Sequence, residues 1–295
     1  MSKVRRPTPL FETDEDVRHF AAALPTQALG KPLKFVPTTR STNDLALEAA
    51  RAGAAHGTVY IADQQTGGRG RSGRSWHSPA NRGILMSLII RPRAIAPSDL
   101  GWIPLLAGLA CARALRESAG VSATIKWPND VVLPGDETPG WRKLGGILCE
   151  SSLTPGAPTQ NFVVIGIGLN VNHVVEDFPP HAKAPPTSIR LETGKEANRR
   201  SILAALLCEL EASLHLLETP HGREQLQASV DAALKSWWTS DRLLNLNPQA
   251  GDASDVRIEG TFAGLDTFGR LRLYVLPSGD TQTLADAEII GIRAI

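Results

Sequence analysis

The chain has 295 residues, of which 42% are hydrophobic, so it is long enough for one large folded domain and a second small one. Its 31 Lys and Arg residues nearly balance its 30 Asp and Glu residues, which argues against the strongly basic surface that dominates nucleic-acid binding. Cys111, Cys149 and Cys208 stand singly in apolar surroundings, which favours a cytoplasmic protein with buried thiols over disulfides or a zinc site.

Residues 1–32 are predicted to form an N-terminal leader with one short helix over residues 14–24. The leader is too short for an independent helix-turn-helix domain. We therefore predict no nucleic-acid partner, and we expect that deletion of residues 1–30 leaves activity largely intact.

A strand is predicted at residues 34–36, and a helix is predicted to start at residues 41–44 and to run to residue 52, where Gly53 ends the helical pattern. Ser41 and Asp44 have the spacing of a capping box at the start of this helix. A plain cap is the ordinary interpretation of these residues. A helix N-terminus beside a pocket can also present its N–H groups to a small polar ligand.

Residues 64–76 interleave four glycines with three arginines, between predicted strands at 58–62 and 84–90. Glycine lets the backbone approach a ligand closely, and arginine supplies paired donors for phosphate or carboxylate oxygens. The pattern favours an anion-binding loop over a flexible basic turn or an RGG-type nucleic-acid segment. We expect the loop to be mobile until an anion arrives, because its arginines repel one another.

A helix is predicted at residues 98–119; its apolar part contains Pro104 and Arg113 and is too short to span a membrane. Residues 123–133 predict a strand, a turn and a strand, in which Lys126 and Asp130 could offer a phosphate partner and a metal ligand. Glycine-containing strands are predicted at 142–150 and 162–172, and helices at 201–218 and 222–238. From residue 256 onward, short strands predict a small β-barrel.

The usual motifs of P-loop, zinc-protease, serine-esterase and dithiol chemistry (GxxxxGKS/T, HExxH, GxSxG and CxxC) are absent from the sequence. Six other motifs occur in order: STN at 41–43, ADQQTGGRGRSGRSW at 62–76, KWPND at 126–130, KLGGILCE at 143–150, GIGLNVN at 166–172 and TSI at 187–189. On these motifs the chain, from about residue 35 to residue 295, closely resembles the biotin protein ligase family.

The resemblance implies an α+β fold: a class II synthetase-like mixed β-sheet catalytic domain flanked by helices (residues 33–245), followed by a small C-terminal SH3-like β-barrel (residues 246–295). Because the leader is too short for a helix-turn-helix domain, we expect the monofunctional type of this family, without an N-terminal DNA-binding domain. Biotin and MgATP would give biotinyl-5′-adenylate and pyrophosphate, and a lysine of a biotin carboxyl carrier domain would then attack the adenylate. Neither the sequence nor the resemblance decides between a monomer and a homodimer.

The resemblance also implies site residues, by matching position in the motifs. Biotin contacts are expected from Ser41, Thr42, Gln65, Arg69, Gly70, Arg71 and Lys143, and a nucleotide contact from Asn170. The other residues that we assign to the ligand pocket are Asn43, Gly68, Trp76, Lys126, Asn129 and Gly145. Arg69, Arg71 and Lys143 are the candidate catalytic cations, and Asp130 is the candidate Mg²⁺ ligand.

Two positions depart from the family pattern. Gly67 replaces an alanine, which should loosen the loop, and the segment 285–288 lacks a glycine that is common in the last turn of the barrel. Three alternatives remain open: a lipoate or octanoate ligase of the same superfamily, a non-catalytic biotin-binding module, and a biotin-responsive repressor.

Overall fold

The computed structural model of the chain describes residues 8–92, 95–135, 139–153, 160–180, 182, 184–239, 242–247, 257–276 and 278–294. The α-helices in these residues are α1 Asp14–Ala23, α2 Thr42–Arg51, α3 Ile103–Ala119, α4 Ile189–Thr193, α5 Arg199–Leu217 and α6 Pro220–Lys235. The β-strands are β1 Leu33–Thr39, β2 Val59–Gln65, β3 Ile84–Ile90, β4 Thr124–Lys126, β5 Asp130–Pro134, β6 Trp141–Ser152, β7 Phe162–Leu169, β8 Arg242–Asn247, β9 Ile258–Leu265, β10 Leu271–Val275, β11 Thr281–Leu284 and β12 Glu288–Ala294.

The first seven strands form one mixed sheet in the order β1-β2-β3-β7-β6-β5-β4. Only the β1–β2 pair is parallel, and the other neighbours are antiparallel. Helices cover both faces of the sheet: α3 packs on β4 to β7 and against α5, whereas α2 packs on β2, β3 and β7. All seven residues of β3 are buried, because the strand lies in the middle of this three-layer arrangement.

Local sequence accounts for most helix ends. Thr13, Asn198 and Thr219 precede α1, α5 and α6, and each side chain accepts a hydrogen bond from an N–H group of the first turn. Gly120 ends α3 with a left-handed backbone, φ 66°. The predicted helix at 98–119 is divided: residues 97–102 form a 3₁₀ turn, and α3 begins at Ile103.

The predicted leader packs into the main hydrophobic core. Leu10, Phe11, Val17, Leu24 and Leu29 are buried in the same cluster as the helices on the large sheet. This packing gives a physical reason to expect that deletion of residues 1–30 damages the fold, contrary to the sequence-based expectation.

A buried ion pair fixes the start of this segment. Arg199 of α5 contacts Asp63 of β2 at 2.7 Å, and the two Asp63 carboxylate oxygens accept the backbone N–H of Leu10 at 2.9 and 3.1 Å. Arg199 also donates to the Thr8 carbonyl at 2.6 Å. The N-terminal segment thus supplies hydrogen-bond partners for Asp63 and Arg199, whose charged side chains are almost fully buried.

The second sheet contains five antiparallel strands in the order β11-β10-β9-β8-β12. Its first strand begins at Arg242, a few residues before the predicted domain boundary at residue 246, and residues 248–256 lie outside the described residues. Two indoles of the large domain donate to the turn between β9 and β10: Trp102 to the Thr267 carbonyl at 2.9 Å, and Trp127 to the Gly269 carbonyl at 3.0 Å.

None of the helices in the described part of the chain combines the length and the apolar character that a membrane-spanning segment needs.

Candidate active site

A cavity of about 1000 Å³ opens between α2, the glycine-rich strands β6 and β7, the loop after β2 and the second sheet. Thirteen of the fifteen predicted site residues line it: Ser41, Thr42, Asn43, Gln65, Arg69, Gly70, Arg71, Trp76, Lys126, Asn129, Asp130, Lys143 and Asn170. The structure therefore brings residues from five separate motifs around one volume, which the antiparallel order of β3, β7, β6 and β5 makes possible.

Gly68 and Gly145 do not line the cavity. A Cβ at Gly68 would lie 2.4 Å from the Trp76 carbonyl oxygen, and one at Gly145 would lie 2.5 Å from a methyl group of Leu169. Both glycines instead allow close packing of neighbouring backbone and side chains behind the cavity wall.

The floor of the cavity consists of glycines in register on adjacent strands. Gly146 of β6 is paired with Gly168 of β7. A Cβ at Gly168 would lie 2.6 Å from the Trp76 indole, and one at Gly166 would lie 2.0 Å from Asn43 Oδ1. Only glycine leaves room for these two side chains to lie flat on the sheet.

Uncharged polar side chains line one part of the cavity. Both the N–H and the hydroxyl of Thr42 donate to Gln65 Oε1, at 2.7 and 3.1 Å. Ser41 occupies the N-cap position of α2, but its side chain makes no capping hydrogen bond, so the predicted capping box is absent. Ser41 instead lines the cavity.

A second part of the cavity carries positive charge. Asp130 on β5 contacts Lys126 at 3.4 Å and Lys143 at 2.5 Å, so two ammonium groups share one carboxylate. Lys126 lies over the Trp141 ring, 4.9 Å from its centre. Asn129 donates to the Ile147 carbonyl at 2.7 Å, which fixes the turn between β4 and β5 against β6.

Burial and mutual attraction set the ionisation of this cluster. Burial alone would raise the pKa of Asp130, but the ammonium groups of Lys143 and Lys126 outweigh it and hold the pKa below its usual value. Burial, reinforced by the neighbouring Lys143, lowers the pKa of Lys126 although Asp130 opposes that shift. The excess of positive charge in a half-closed cavity favours an anionic ligand.

Carboxylates from separate elements pair with the arginines of the loop. Arg69 makes two parallel hydrogen bonds to Glu150, at 3.0 and 2.7 Å, and its guanidinium lies 2.9 Å from Asp44. The Glu150 hydrogen bonds are the largest cause of the raised pKa of Arg69. This guanidinium is therefore firmly cationic and fixed in orientation.

The other two arginines pair with the second sheet. Arg71 contacts Asp286, and Arg74 contacts Glu288 at 2.5 Å. The loop arginines were expected to repel one another. In the structure, however, each guanidinium is paired with a carboxylate. The loop is also closed internally, since Gly70 donates to the Arg74 carbonyl at 2.6 Å.

Asn170 follows β7 and lies beneath the TSI motif. Its amide donates to the Thr187 carbonyl at 3.0 Å, and Ser188 caps α4 by accepting from the Leu191 N–H at 3.1 Å. Asn170 therefore joins the end of β7 to the segment that follows Pro186, a residue of the cavity wall, and its predicted contact with a nucleotide stays a prediction.

Sequence reasoning missed four polar residues at or behind the cavity: Glu150, Ser87, Asp286 and Glu288. Ser87 is the only polar residue in the apolar strand β3, which is a signal that could have identified it. Asp286 and Glu288 fall in the segment that departs from the family pattern, but nothing in the local sequence indicates that their partners are loop arginines. Among the described residues there is no group of three or more His, Cys, Asp or Glu side chains that could hold a metal ion by themselves.

Comparison with known proteins gives consistent results. The biotin/lipoate A/B protein ligase family matches residues 35–170. The biotin–[acetyl-CoA-carboxylase] ligase of Mycobacterium tuberculosis is 34% identical over 268 residues, covering 89% of this chain and 90% of that protein. The ligase of the same name from Paracoccus denitrificans is 32% identical, covering 85% of this chain and 97% of that protein.

Longer relatives match over part of their length. The bifunctional ligase/repressor BirA of Bacillus subtilis is 35% identical over 204 residues, and the match spans 69% of this chain but only 58% of that protein. Among solved structures, the biotin protein ligase from Aquifex aeolicus in complex with biotin and ATP superposes with a TM-score of 0.69 at 24% identity, covering 90% of this chain and 100% of that chain. The predicted α+β fold with a large mixed sheet and a small C-terminal antiparallel sheet is confirmed.

Proposed function

Because this chain belongs to the biotin/lipoate A/B protein ligase family, and within it to the biotin protein ligases, we propose that it forms biotinyl-5′-adenylate from biotin and ATP and transfers the biotinyl group to a lysine of a biotin carboxyl carrier domain. One observation carries the proposal. A single cavity combines an uncharged hydrogen-bonding group, Thr42 with Gln65, and a cluster in which two lysines share one carboxylate.

In the first step, a biotin carboxylate oxygen attacks the α-phosphorus of ATP. A new carbon–oxygen–phosphorus linkage forms, the bond between the α- and β-phosphates breaks, and pyrophosphate leaves. Both reactants are anions, so the step needs fixed cations where negative charge gathers on the phosphate oxygens. Lys126 and Lys143 supply two such charges, and Arg69 supplies a third from the loop.

In the second step, the amine of the acceptor lysine attacks the carbonyl carbon of the mixed anhydride. The amide bond forms, AMP leaves, and the amine loses a proton. This step carries no triphosphate, so it depends less on the lysine cluster and more on the polar residues that hold the ureido head in place. Thr42, Ser41 and Gln65 provide neutral donors and acceptors for that uncharged head.

Mg²⁺ is part of the proposal because it would neutralise charge on the phosphates of ATP. This ion is usually held by one or two carboxylates together with substrate phosphates and water, and Asp130 is a single carboxylate that lines the cavity. Both Asp130 oxygens contact lysine ammonium groups, so the phosphates of ATP and water would supply most ligands of the ion and Asp130 would supply one at most. Other parts of the proposal are a cytoplasmic location, a monomer or homodimer, and a role that involves no nucleic acid.

Exchange of labelled pyrophosphate into ATP tests the first step directly. We expect exchange that depends on biotin, and little with lipoate or octanoate, because an alkyl chain offers no hydrogen-bond partner to the Ser41 hydroxyl or the Gln65 amide nitrogen, both in the cavity wall. Exchange with lipoate alone would reassign the chain to the other branch of the family. Biotin binding without exchange would indicate a non-catalytic binding module, and retarded migration of biotin-gene operator DNA would indicate a repressor.

A further inference from the structure

Glu150 stands behind the cavity and holds two of the residues that line it. Its carboxylate accepts both parallel hydrogen bonds from Arg69, and Oε2 also accepts from the Asn43 amide at 2.8 Å. Glu150 itself does not line the cavity. It therefore has the position of a residue that orients others rather than one that touches a substrate.

Asn43 has no alternative orientation in this arrangement. Its amide group donates to Glu150 and to the Leu148 carbonyl, the latter at 3.2 Å, so Oδ1 must act as the acceptor on the opposite side. That oxygen lies against Gly166, where a Cβ would come within 2.0 Å of it. The side chain is thus held by hydrogen bonds from two directions and by the sheet beneath it.

Ser87 extends the network to the uncharged part of the cavity. Its hydroxyl lies 2.5 Å from Asn43 Oδ1 and 2.8 Å from the Thr42 hydroxyl. Thr42 in turn contacts Gln65. A continuous series of polar contacts therefore runs from Gln65 through Thr42, Ser87 and Asn43 to Glu150 and Arg69. Because Thr42 and Ser87 carry one hydroxyl proton each, two of the three contacts between Gln65 Oε1 and Asn43 Oδ1 are hydrogen bonds at any one time.

We propose that Glu150 is a positioning residue, which fixes the Arg69 guanidinium over the cavity and joins its position to that of the residues around Thr42. The inference rests on the proposed function. Asp44 also contacts Arg69, but at a single oxygen and from a more exposed side chain, so Asp44 alone does not define the plane of the guanidinium. The two parallel bonds from Glu150 do define that plane.

The test uses the full chain with Glu150→Gln and Glu150→Asp. Glutamine keeps the size of the side chain and an acceptor for Asn43, but it loses the negative charge and one acceptor for Arg69. Aspartate keeps the charge but is shorter, so it cannot serve Arg69 and Asn43 together. Glu196→Gln is the matched control, because Glu196 pairs with Arg190 at 2.7 Å on the outer surface, away from the cavity.

We expect kcat/KM for biotin-dependent pyrophosphate exchange to fall about ten- to a hundredfold in Glu150→Gln and by an intermediate factor in Glu150→Asp. The control should match the wild type. Thermal unfolding midpoints should stay close to the wild type in Glu150→Gln and Glu196→Gln, because partly exposed ion pairs contribute little to stability. The midpoint of Glu150→Asp should fall slightly, because the buried Asn43 amide keeps only the Leu148 carbonyl as acceptor.

A double-mutant cycle separates positioning from general damage. If Glu150 acts through Arg69, then Glu150→Gln combined with Arg69→Gln should be about as slow as Arg69→Gln alone. Losses that multiply, or equal exchange rates in the wild type and both Glu150 variants, would overturn the positioning role. Absence of biotin-dependent exchange in the wild type would instead overturn the proposed function.

Discussion

Deletion of residues 1–30 is expected to unfold the protein, although the sequence alone presents this segment as a dispensable leader. The deletion removes Leu10, Phe11, Val17, Leu24 and Leu29, all of which are buried in the main core. At about 1.5–3 kcal/mol for each buried side chain, the loss is roughly 7–15 kcal/mol. That loss is comparable to the whole stability of a typical domain, about 5–15 kcal/mol.

The same segment shields a buried pair of charges. Without it, Asp63 loses the Leu10 N–H, and Arg199 loses the Thr8 carbonyl. Hydrogen bonds to charged groups contribute about 1.5–3 kcal/mol each, so this loss adds to the loss of apolar packing. We therefore expect the truncated chain to be insoluble, or to unfold at a much lower urea concentration than the full chain.

A single substitution gives a sharper measurement. Phe11 makes edge contacts with Phe20 and Phe35, with ring centres 5.2 and 5.4 Å apart. Phe11→Ala should lower the free energy of unfolding by about 3–5 kcal/mol in urea titrations. Phe268→Ala is the control, because this ring is 45% exposed and its loss should cost about 0.5 kcal/mol. A truncated chain with wild-type stability and ligation activity would refute this reasoning.

Three further predictions concern the cavity and its surroundings. Asp130→Asn should slow adenylate formation about tenfold or more, but slow transfer from supplied biotinyl-adenylate much less, because only the first step carries triphosphate; equal losses would contradict this. Gly168→Ala should force the Trp76 indole to move and lower kcat/KM for biotin about tenfold, whereas Gly291→Ala, whose added Cβ would have no contact nearer than 3.9 Å, should leave it unchanged. Burial lowers the pKa of His173 from 6.5 to about 4. Between pH 6.5 and pH 4, His173 is therefore protonated in the unfolded chain but neutral in the folded chain. The free energy of unfolding should therefore fall as the pH drops from 6.5 to 4, by up to about 3 kcal/mol more in the wild type than in His173→Gln. Parallel pH profiles of the two proteins would contradict the lowered pKa of His173.

Most elements could be predicted from the sequence, because their signals are local. The resemblance to a known family supplied the site residues, of which thirteen of fifteen line the cavity. The glycines of residues 64–76 mark a loop, and Gly120 marks a helix end. The glycines of β7 indicate a close approach, which the structure assigns to Asn43 at Gly166 and to Trp76 at Gly168.

The remaining features depend on pairing between distant segments, which local patterns do not encode. Glu150 meets Arg69 only because β6 and the loop after β2 converge, 81 residues apart in the chain. The partners of Arg71 and Arg74 come from the second sheet, more than 200 residues away. Burial of the N-terminal segment was not predicted, although Val17, Phe20, Ala21 and Leu24 have the spacing of an apolar helix face; the sequence does not show which surface that face packs against.

The turn between β9 and β10 joins the small sheet to the large domain, and it limits how far the two can vary independently in related sequences. The indoles of Trp102 and Trp127 donate to backbone carbonyls of this turn, and Gly101 lies so close that a Cβ would come 2.4 Å from the Phe268 carbonyl oxygen. The junction therefore recognises the path of the main chain and not the identity of the side chains. The side chains at 267 and 268 can vary without loss of the contact, provided that Gly269 keeps its left-handed conformation, φ 76°, and that Asp266 still accepts from the N–H groups of Phe268 and Arg270. A chimera that exchanges the small sheet between relatives should consequently need a turn of the same length and backbone shape, in addition to partners for Arg71 and Arg74.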